Sequence, residues 1–354
     1  MTTDPFGVYL HIPFCAKRCD YCAFATWTDR HHLMADYAAA CRTEISAADV
    51  PPADTVFFGG GTPSLMPAEL LVGILEAIPR RPGAEVTVEC NPESVTASLL
   101  GSYRVSGVNR LSFGVQSMAA HVLAALGRVH DPNAVRNAVS LCGEAGFPTF
   151  NVDLIYGAAG ESDDDWARTL GAVLALDPAP PHVSAYALTV EPGTPLATDP
   201  SRFPDDDVQA DRYLAADRRL TAAGLEWYET SNWARPGHEC RHNRSTWRQA
   251  DYRSIGCAAH SHRQGRRWWN VRTPDRYIRA MNEGASPVAG EEVLDDGGRA
   301  WEALVLALRT RDGIPAAAVP DDPALDGLVV RDGDRVRLTG RGRLLVNAVV
   351  QRLR

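Results

Sequence analysis

The sequence has no run of about 18 uninterrupted apolar residues, the length a helix needs to cross a bilayer. Its start, MTTDPFGVYLHIPFC, carries no basic stretch leading into a long apolar one. A cytoplasmic chain is the expectation. There is no repeat of fixed period and no low-complexity tract, which excludes solenoids and argues against disorder. Basic charge is in deficit: 36 Lys and Arg stand against 44 Asp and Glu, a net charge of -8, so broad nucleic-acid binding is not expected. Of the eight cysteines, Cys41, Cys90, Cys142, Cys240 and Cys257 are scattered, so the pattern is not a secreted disulfide framework. Cys41 and Cys142 lie on apolar helical faces and read as packing residues.

What is present is an ordinary globular composition, 45% hydrophobic and 23% charged over 354 residues, enough for two domains or one barrel with an appendage. Short apolar runs at 7–12, 55–58, 85–89, 110–115, 149–155 and 182–188 alternate with helical periodicity at 33–47, 67–78, 97–105, 133–145 and 164–175. This predicts α/β architecture with six parallel strand-helix units. Pro67 suits a first helical turn, and Asp163, Asp164 and Asp165 complement a positive helix end.

The chemistry-bearing residues follow the strands. After the first come Cys15, Cys19 and Cys22 in HIPFCAKRCDYCAF, and after the second Gly59-Gly60-Gly61-Thr62. Glu89 and Asn91 follow the third, Gln116 the fourth, and Asp153 ends the fifth. In a strand-helix barrel these ends face one mouth. Three thiolates from one loop suit an iron-sulfur cluster with an open iron better than zinc, which wants four ligands. The plainer alternative is a reduced loop with idle thiols, or a disulfide and a spare. The glycines allow close backbone approach and offer N–H groups to a carboxylate. Glu89 and Asp153 also suit helix caps, and Gln116 a buried structural amide.

The cysteine spacing after VYLHIP, followed in order by FFGGGTPS, VECNPES, LSFGVQS and NVDLIYG, resembles radical S-adenosylmethionine (SAM) proteins of the HemN and HemW group over about the first 260 residues. The resemblance implies a partial (β/α)6 radical SAM barrel. It also implies a 4Fe-4S cluster on Cys15, Cys19 and Cys22, whose open iron is chelated by SAM. In that group the reduced cluster cleaves SAM to a 5'-deoxyadenosyl radical, so the cofactors carry the hard step. By resemblance Tyr9, Gly60 and Glu89 hold this SAM, while Tyr21, Gly61, Thr62, Gln116, Arg128 and Asp153 match positions that HemN-type oxidases use for a second one. Arg128 alone also reads as a solvated helix-end arginine.

Two departures separate the branches of the group. HemN-type oxidases carry a further cysteine two positions beyond the third, where this chain has Phe24, and a long arm ahead of the cluster, where fourteen residues precede Cys15. Both favour the HemW branch, haem chaperones that pass haem to respiratory proteins. CRHNRSTW resembles that branch's His-Asn-x-x-Tyr-Trp motif through His242, Asn243 and Trp247, with Thr246 in place of tyrosine. His242 becomes the candidate haem ligand, the alternative being a hydrogen-bonding wall histidine. Cys257, in SIGCAAHSH, is either a further iron ligand or a small buried residue. The run RQGRRWWNVR is expected as a solvated strand edge, with haem propionates or nucleic acid as other partners of its arginines.

After 273 the alternation stops. A helix at 299–310, a hairpin about Asp332 and Gly333 and a final helix at 340–353 suggest a small winged-helix-like α+β domain. The divisions expected are 1–230 for the core, 231–275 for a connecting segment and 276–354 for the C-terminal domain. The acidic residues Asp321, Asp322, Asp326, Asp332 and Asp334 would repel phosphate, so no nucleic-acid partner is expected. The leading reading is a haem chaperone with haem-accepting respiratory partners, peripheral to a membrane only through them. It takes a flavodoxin- or ferredoxin-type donor if SAM is cleaved. The alternative is oxygen-independent coproporphyrinogen III oxidase, or another radical SAM reaction such as methyl transfer.

Overall fold

The structure, a computed structural model, describes residues 5–353. Six strands run parallel and adjacent in chain order: β1 (Gly7–Ile12), β2 (Ala53–Gly60), β3 (Arg80–Cys90), β4 (Arg110–Gln116), β5 (Thr149–Tyr156) and β6 (His182–Ala187). Their connections carry α1 (Met34–Ala47), α2 (Ala68–Glu76), α3 (Ala97–Val105), α4 (Ala120–Ala125), α5 (Pro132–Glu144) and α6 (Asp163–Leu174). The starts of the last two are set by short polar caps. Asp131 accepts from the Asn133 and Ala134 amides, and Ser162 with Asp165 forms a reciprocal capping box.

Alternation along each strand divides two environments. Val8, Leu10 and Ile12 of β1, Val86 and Val88 of β3, and Val152 and Leu154 of β5 pack in the large core under the helices. Each such side chain contributes about 1.5–3 kcal/mol on burial. The intervening residues, Tyr9, Thr87, Glu89, Asn151 and Asp153, line the inside. An apolar outside and a polar inside is the reverse of a filled barrel.

The sheet is larger than six strands. After α7 (Asp206–Ala222), the hairpin β7 (Glu226–Glu229) and β8 (Asn232–Ala234) extends it beyond β6. After α8 (Arg241–Trp247), β9 (Tyr252–Ile255) pairs in parallel with the far side of β1, Gly7 opposite Tyr252. Then β10 (His260–Arg263) and β11 (Arg266–Asn270) continue outward, and past α9 (Pro274–Asn282) β12 (Val288–Val293) forms the edge of a twelve-stranded sheet. Residues 231–275, expected as a connecting segment, therefore supply β8 to β11. RQGRRWWNVR is not a solvated edge: β11 is paired on both sides, and buried Trp268 lies under Arg253 and Arg266 at 5.3 and 5.0 Å. Ion pairs to Glu291 and Glu292 of β12, and to Glu302 on the helix that follows, neutralise Arg266 and Arg267.

Position 276 falls inside α9, whose Tyr277, Ile278 and Met281 belong to the large core. A second core, including Leu308, Ile314, Val336 and Val349, gathers later elements. These are α10 (Asp296–Leu308), β13 (Ile314–Pro315), β14 (Val329–Asp332), β15 (Arg335–Leu338), α11 (Gly340–Leu344) and α12 (Val346–Arg352). The three strands form an antiparallel sheet whose hairpin turns at Gly333, as expected, while the single final helix is broken at Leu345. Arg343 clamps this unit to Asp217 of α7 at 2.6 and 2.9 Å. Among the described residues no helix is long and apolar enough to cross a membrane.

Candidate functional site

The cysteine loop leaves β1 and is fixed before any ligand is considered. The Cys15 amide donates to the Trp27 carbonyl at 3.1 Å, the Asp20 amide to the Leu126 carbonyl at 3.3 Å, and Arg202 pairs with Asp20 at 2.8 Å. All eight cysteines are free thiols, so the disulfide alternative does not hold. Among the described residues no three His, Cys, Asp or Glu side chains are gathered tightly enough for one metal ion. The Thr62 hydroxyl donates to Cys15 Sγ at 3.7 Å and Arg128 to Cys19 Sγ at 3.5 Å. Asn91 joins these donors, giving one N–H to Thr62 Oγ1 at 3.2 Å and accepting from Arg128 at 2.9 Å. Arg128 also donates to the Gly114 carbonyl at 3.1 Å, so it is a cross-brace and not a solvated helix end. Burial pushes the Cys15 thiol up to about 11 against the pull of the Thr62 hydroxyl, and burial raises Cys22 as well.

The glycine turn packs against this loop. Gly60 has φ +108°, and a Cβ there would meet His11 at 2.5 Å; a Cβ on Gly61 would meet the Phe14 carbonyl at 2.6 Å. The Gly61 and Thr62 amides donate to the carbonyls of Ile12 and Phe14 at 2.7 and 2.8 Å, and the Gly60 amide to Glu89 at 3.2 Å. The amides expected to face a ligand are thus engaged within the protein, because the turn must seat the loop.

Beside the loop the inward-facing side chains enclose a cavity of about 900 Å³. Tyr9, Gly60, Glu89, Asp153 and His242 line it; Gly61, Thr62, Gln116, Arg128 and Tyr21 do not. Gln116, at φ +61°, lies with Gly114 near Arg128, and Tyr21 lies by Cys19 and Arg128. The sequence candidates therefore form two neighbouring groups, one on the loop and one on the cavity wall. Burial, with the Asp153 charge adding, pushes Glu89 up to about 8, partly offset by the Gly60 amide. Burial also raises Asp153, whose carboxylate accepts from Ser112 at 2.7 Å and Asn151 at 2.8 Å. Burial lowers His242 to about 4, so it is a neutral imidazole. Its Nδ1 lies 2.9 Å from Thr55 Oγ1, and its ring stacks on Phe57 with centroids 5.3 Å apart.

Deeper in, Arg110 donates to the His238 carbonyl at 2.9 Å and contacts His182, with no carboxylate at ion-pair distance among the described residues. Arg110, Ser112, Asn151, His182 and Ser184 went unnoticed in the sequence. Their signal was polar residues two apart (110 and 112, 182 and 184) within otherwise apolar strands. Cys257 and His262 are buried outside the lining, Cys257 against the Tyr37 hydroxyl at 3.6 Å, which makes it a packing residue.

Residues 9–173 match the Radical SAM superfamily. The whole chain aligns at 44% identity with the Heme chaperone HemW of Mycobacterium tuberculosis, covering 96% of it. It belongs to the HemW family. The Heme chaperone HemW of Escherichia coli is 39% identical across 72% of this chain and 70% of its own length. In fold, the HemW-family chain is similar to coproporphyrinogen III oxidase (HemN) from Escherichia coli. That radical SAM enzyme matches with a TM-score of 0.86 at 22% identity, over 99% of this chain and 90% of that one. The superfamily implies a 4Fe-4S cluster and SAM. The residues present fit such groups: three unpaired thiols with two donors aimed at their sulfurs, and beside them a cavity with a partnerless buried hydroxyl, Thr87 Oγ1, in its wall.

Proposed function

We propose that this chain is a haem chaperone on a radical SAM fold. Cys15, Cys19 and Cys22 bind a 4Fe-4S cluster, Tyr9, Gly60 and Glu89 hold SAM, and the cavity receives haem for delivery to respiratory proteins. The observation that carries the reading is the 900 Å³ cavity next to the cysteine loop with a neutral imidazole, His242, in its wall. The names of the mycobacterial and Escherichia coli relatives support haem as the cargo. In the tautomer whose Nδ1–H donates to Thr55 Oγ1, the ring's lone pair sits on Nε2, the form that would ligate iron.

When bound, the cluster supplies an electron to SAM if SAM is cleaved, and a flavodoxin- or ferredoxin-type donor is required only then. The chain's own residues position. Arg128 and Thr62, which donate to the Cys19 and Cys15 sulfurs, would brace a cluster held there, and Glu89, once ionised, would hold the SAM ammonium. Of the residues matching a second SAM site, only Asp153 lines the cavity, which favours one SAM over two. Phe24 leaves the loop without the oxidase's additional cysteine and borders the cavity, 64% exposed, which favours the chaperone over the oxidase.

Anaerobic reconstitution with iron and sulfide, followed by titration with SAM and then haem, tests the whole reading. A cluster, SAM binding and a stoichiometric Soret band are expected, and failure to assemble a cluster would overturn it. In His242→Ala the Soret band weakens; an unchanged spectrum and affinity remove His242 as the ligand.

A further inference from the structure

The fold divides the basic aromatic run near the end of the large sheet. Arg266 and Arg267 are spent in ion pairs, but Arg272, just past β11, and Arg276 in α9 are not. Both are exposed and both border the cavity. Neither guanidinium has an ion-pair or hydrogen-bond partner among the described residues. The carboxylate between them in sequence, Asp275, is held by Arg30 at 3.2 Å. Also bordering the cavity, His260 stacks on Trp269 with centroids 5.7 Å apart and planes 24° from parallel. Two uncompensated guanidiniums beside a flat aromatic wall, in a chain of net charge -8, select a planar ligand that carries carboxylates.

We infer that Arg272 and Arg276 read the propionates of a bound tetrapyrrole at the cavity mouth, with the His260–Trp269 pair as the wall for its ring. This rests on the haem reading above and names the residues that recognise the cargo. It separates recognition of the carboxylates, at the exposed mouth, from iron ligation at buried His242.

The test compares haemin with haemin dimethyl ester, which keeps the iron and ring and removes both charges. Each is titrated into the reconstituted full-length protein from the same solvent stock. Wild type is expected to prefer haemin by about fivefold to tenfold, the scale of two exposed ion pairs. The preference shrinks with added salt. Arg272→Ala/Arg276→Ala loses the preference while binding the ester as wild type does, which also shows that the variant is folded; Arg272→Lys/Arg276→Lys restores part of it. Equal wild-type affinity for the two ligands overturns the inference, as does a double alanine variant that still prefers haemin. Failure of wild type to bind either ligand refutes the haem reading itself, and the inference falls with it.

Discussion

The cysteine loop and the cavity wall touch each other yet are built on opposite principles. Around the loop the polar side chains are wired to one another: Thr62, Asn91 and Arg128 form a continuous chain of hydrogen bonds between Cys15 and Cys19. On the wall, Glu89 and Asp153 are enclosed near one another with raised affinities for protons, and Thr87 Oγ1 has no partner among the described residues. The loop is braced mostly by the chain itself, with Arg128 Nε and Thr26 Oγ1 left without partners among the described residues, whereas the wall crowds two acidic groups into one enclosure. A site can thus be preorganised at one end and held under electrostatic tension at the other, within a single sheet.

The comparison breaks first at Arg128. Arg128→Ala leaves Asn91 Oδ1 and the Gly114 carbonyl without their donor, and should cost about 1–3 kcal/mol of stability in the ligand-free protein. Urea unfolding under anaerobic conditions measures it; an unchanged midpoint would mean that the network is not structural.

Glu89→Gln is expected to act in the opposite direction. A carboxyl raised to about 8 in the folded chain contributes stability that is fully present below its unfolded value and is lost as pH rises through about 8. The glutamine variant, which does not titrate, should gain about 1–2 kcal/mol on wild type between pH 5 and pH 9. That is less than the full shift implies, because the partly exposed edge of Glu89 softens the burial. In wild type, SAM affinity should rise with pH until Glu89 is ionised, and the variant should bind weakly and without that rise. Equilibrium dialysis across the pH range reads both, and a pH-independent wild type would remove Glu89 from the ammonium. The smallest effect is at Phe24. Phe24→Cys adds a thiol at an exposed position, so iron content and SAM binding should stay at wild-type levels and stability within about 0.5 kcal/mol.

The six parallel strands and the loop were legible because each rests on a local signal, an apolar run or a cysteine spacing. What was not legible depended on distant partners. β9 is four residues long and contains Arg253, whose charge is met by Glu44 at 2.9 Å, so nothing in YRSI reads as a buried parallel strand. Residues 266–270 read as solvated because the carboxylates that neutralise Arg266 and Arg267 lie at 291, 292 and 302. At the site, the glycine turn was recognised but its amides were assigned to a ligand, since no local pattern reveals that Ile12 and Phe14 take them. Inward positions such as Arg110 and His182 became meaningful only once the strand order placed them in one interior.

The pairing of β9 with β1 also bears on the order in which the molecule can be made. Of the strands in the large sheet β1 is made before the others, yet its second neighbour arrives only with Tyr252, opposite Gly7. The carboxylate of Glu44 then binds the Gly256 amide, Asn270 and Tyr277, all from the same late stretch. Until that stretch is made, the strand that launches the cysteine loop is an open sheet edge, and contacts of such long sequence separation form slowly. Metal loading on the nascent chain would meet a loop that lacks its final support; the fold times the site to mature only once the chain through Tyr277 has been made.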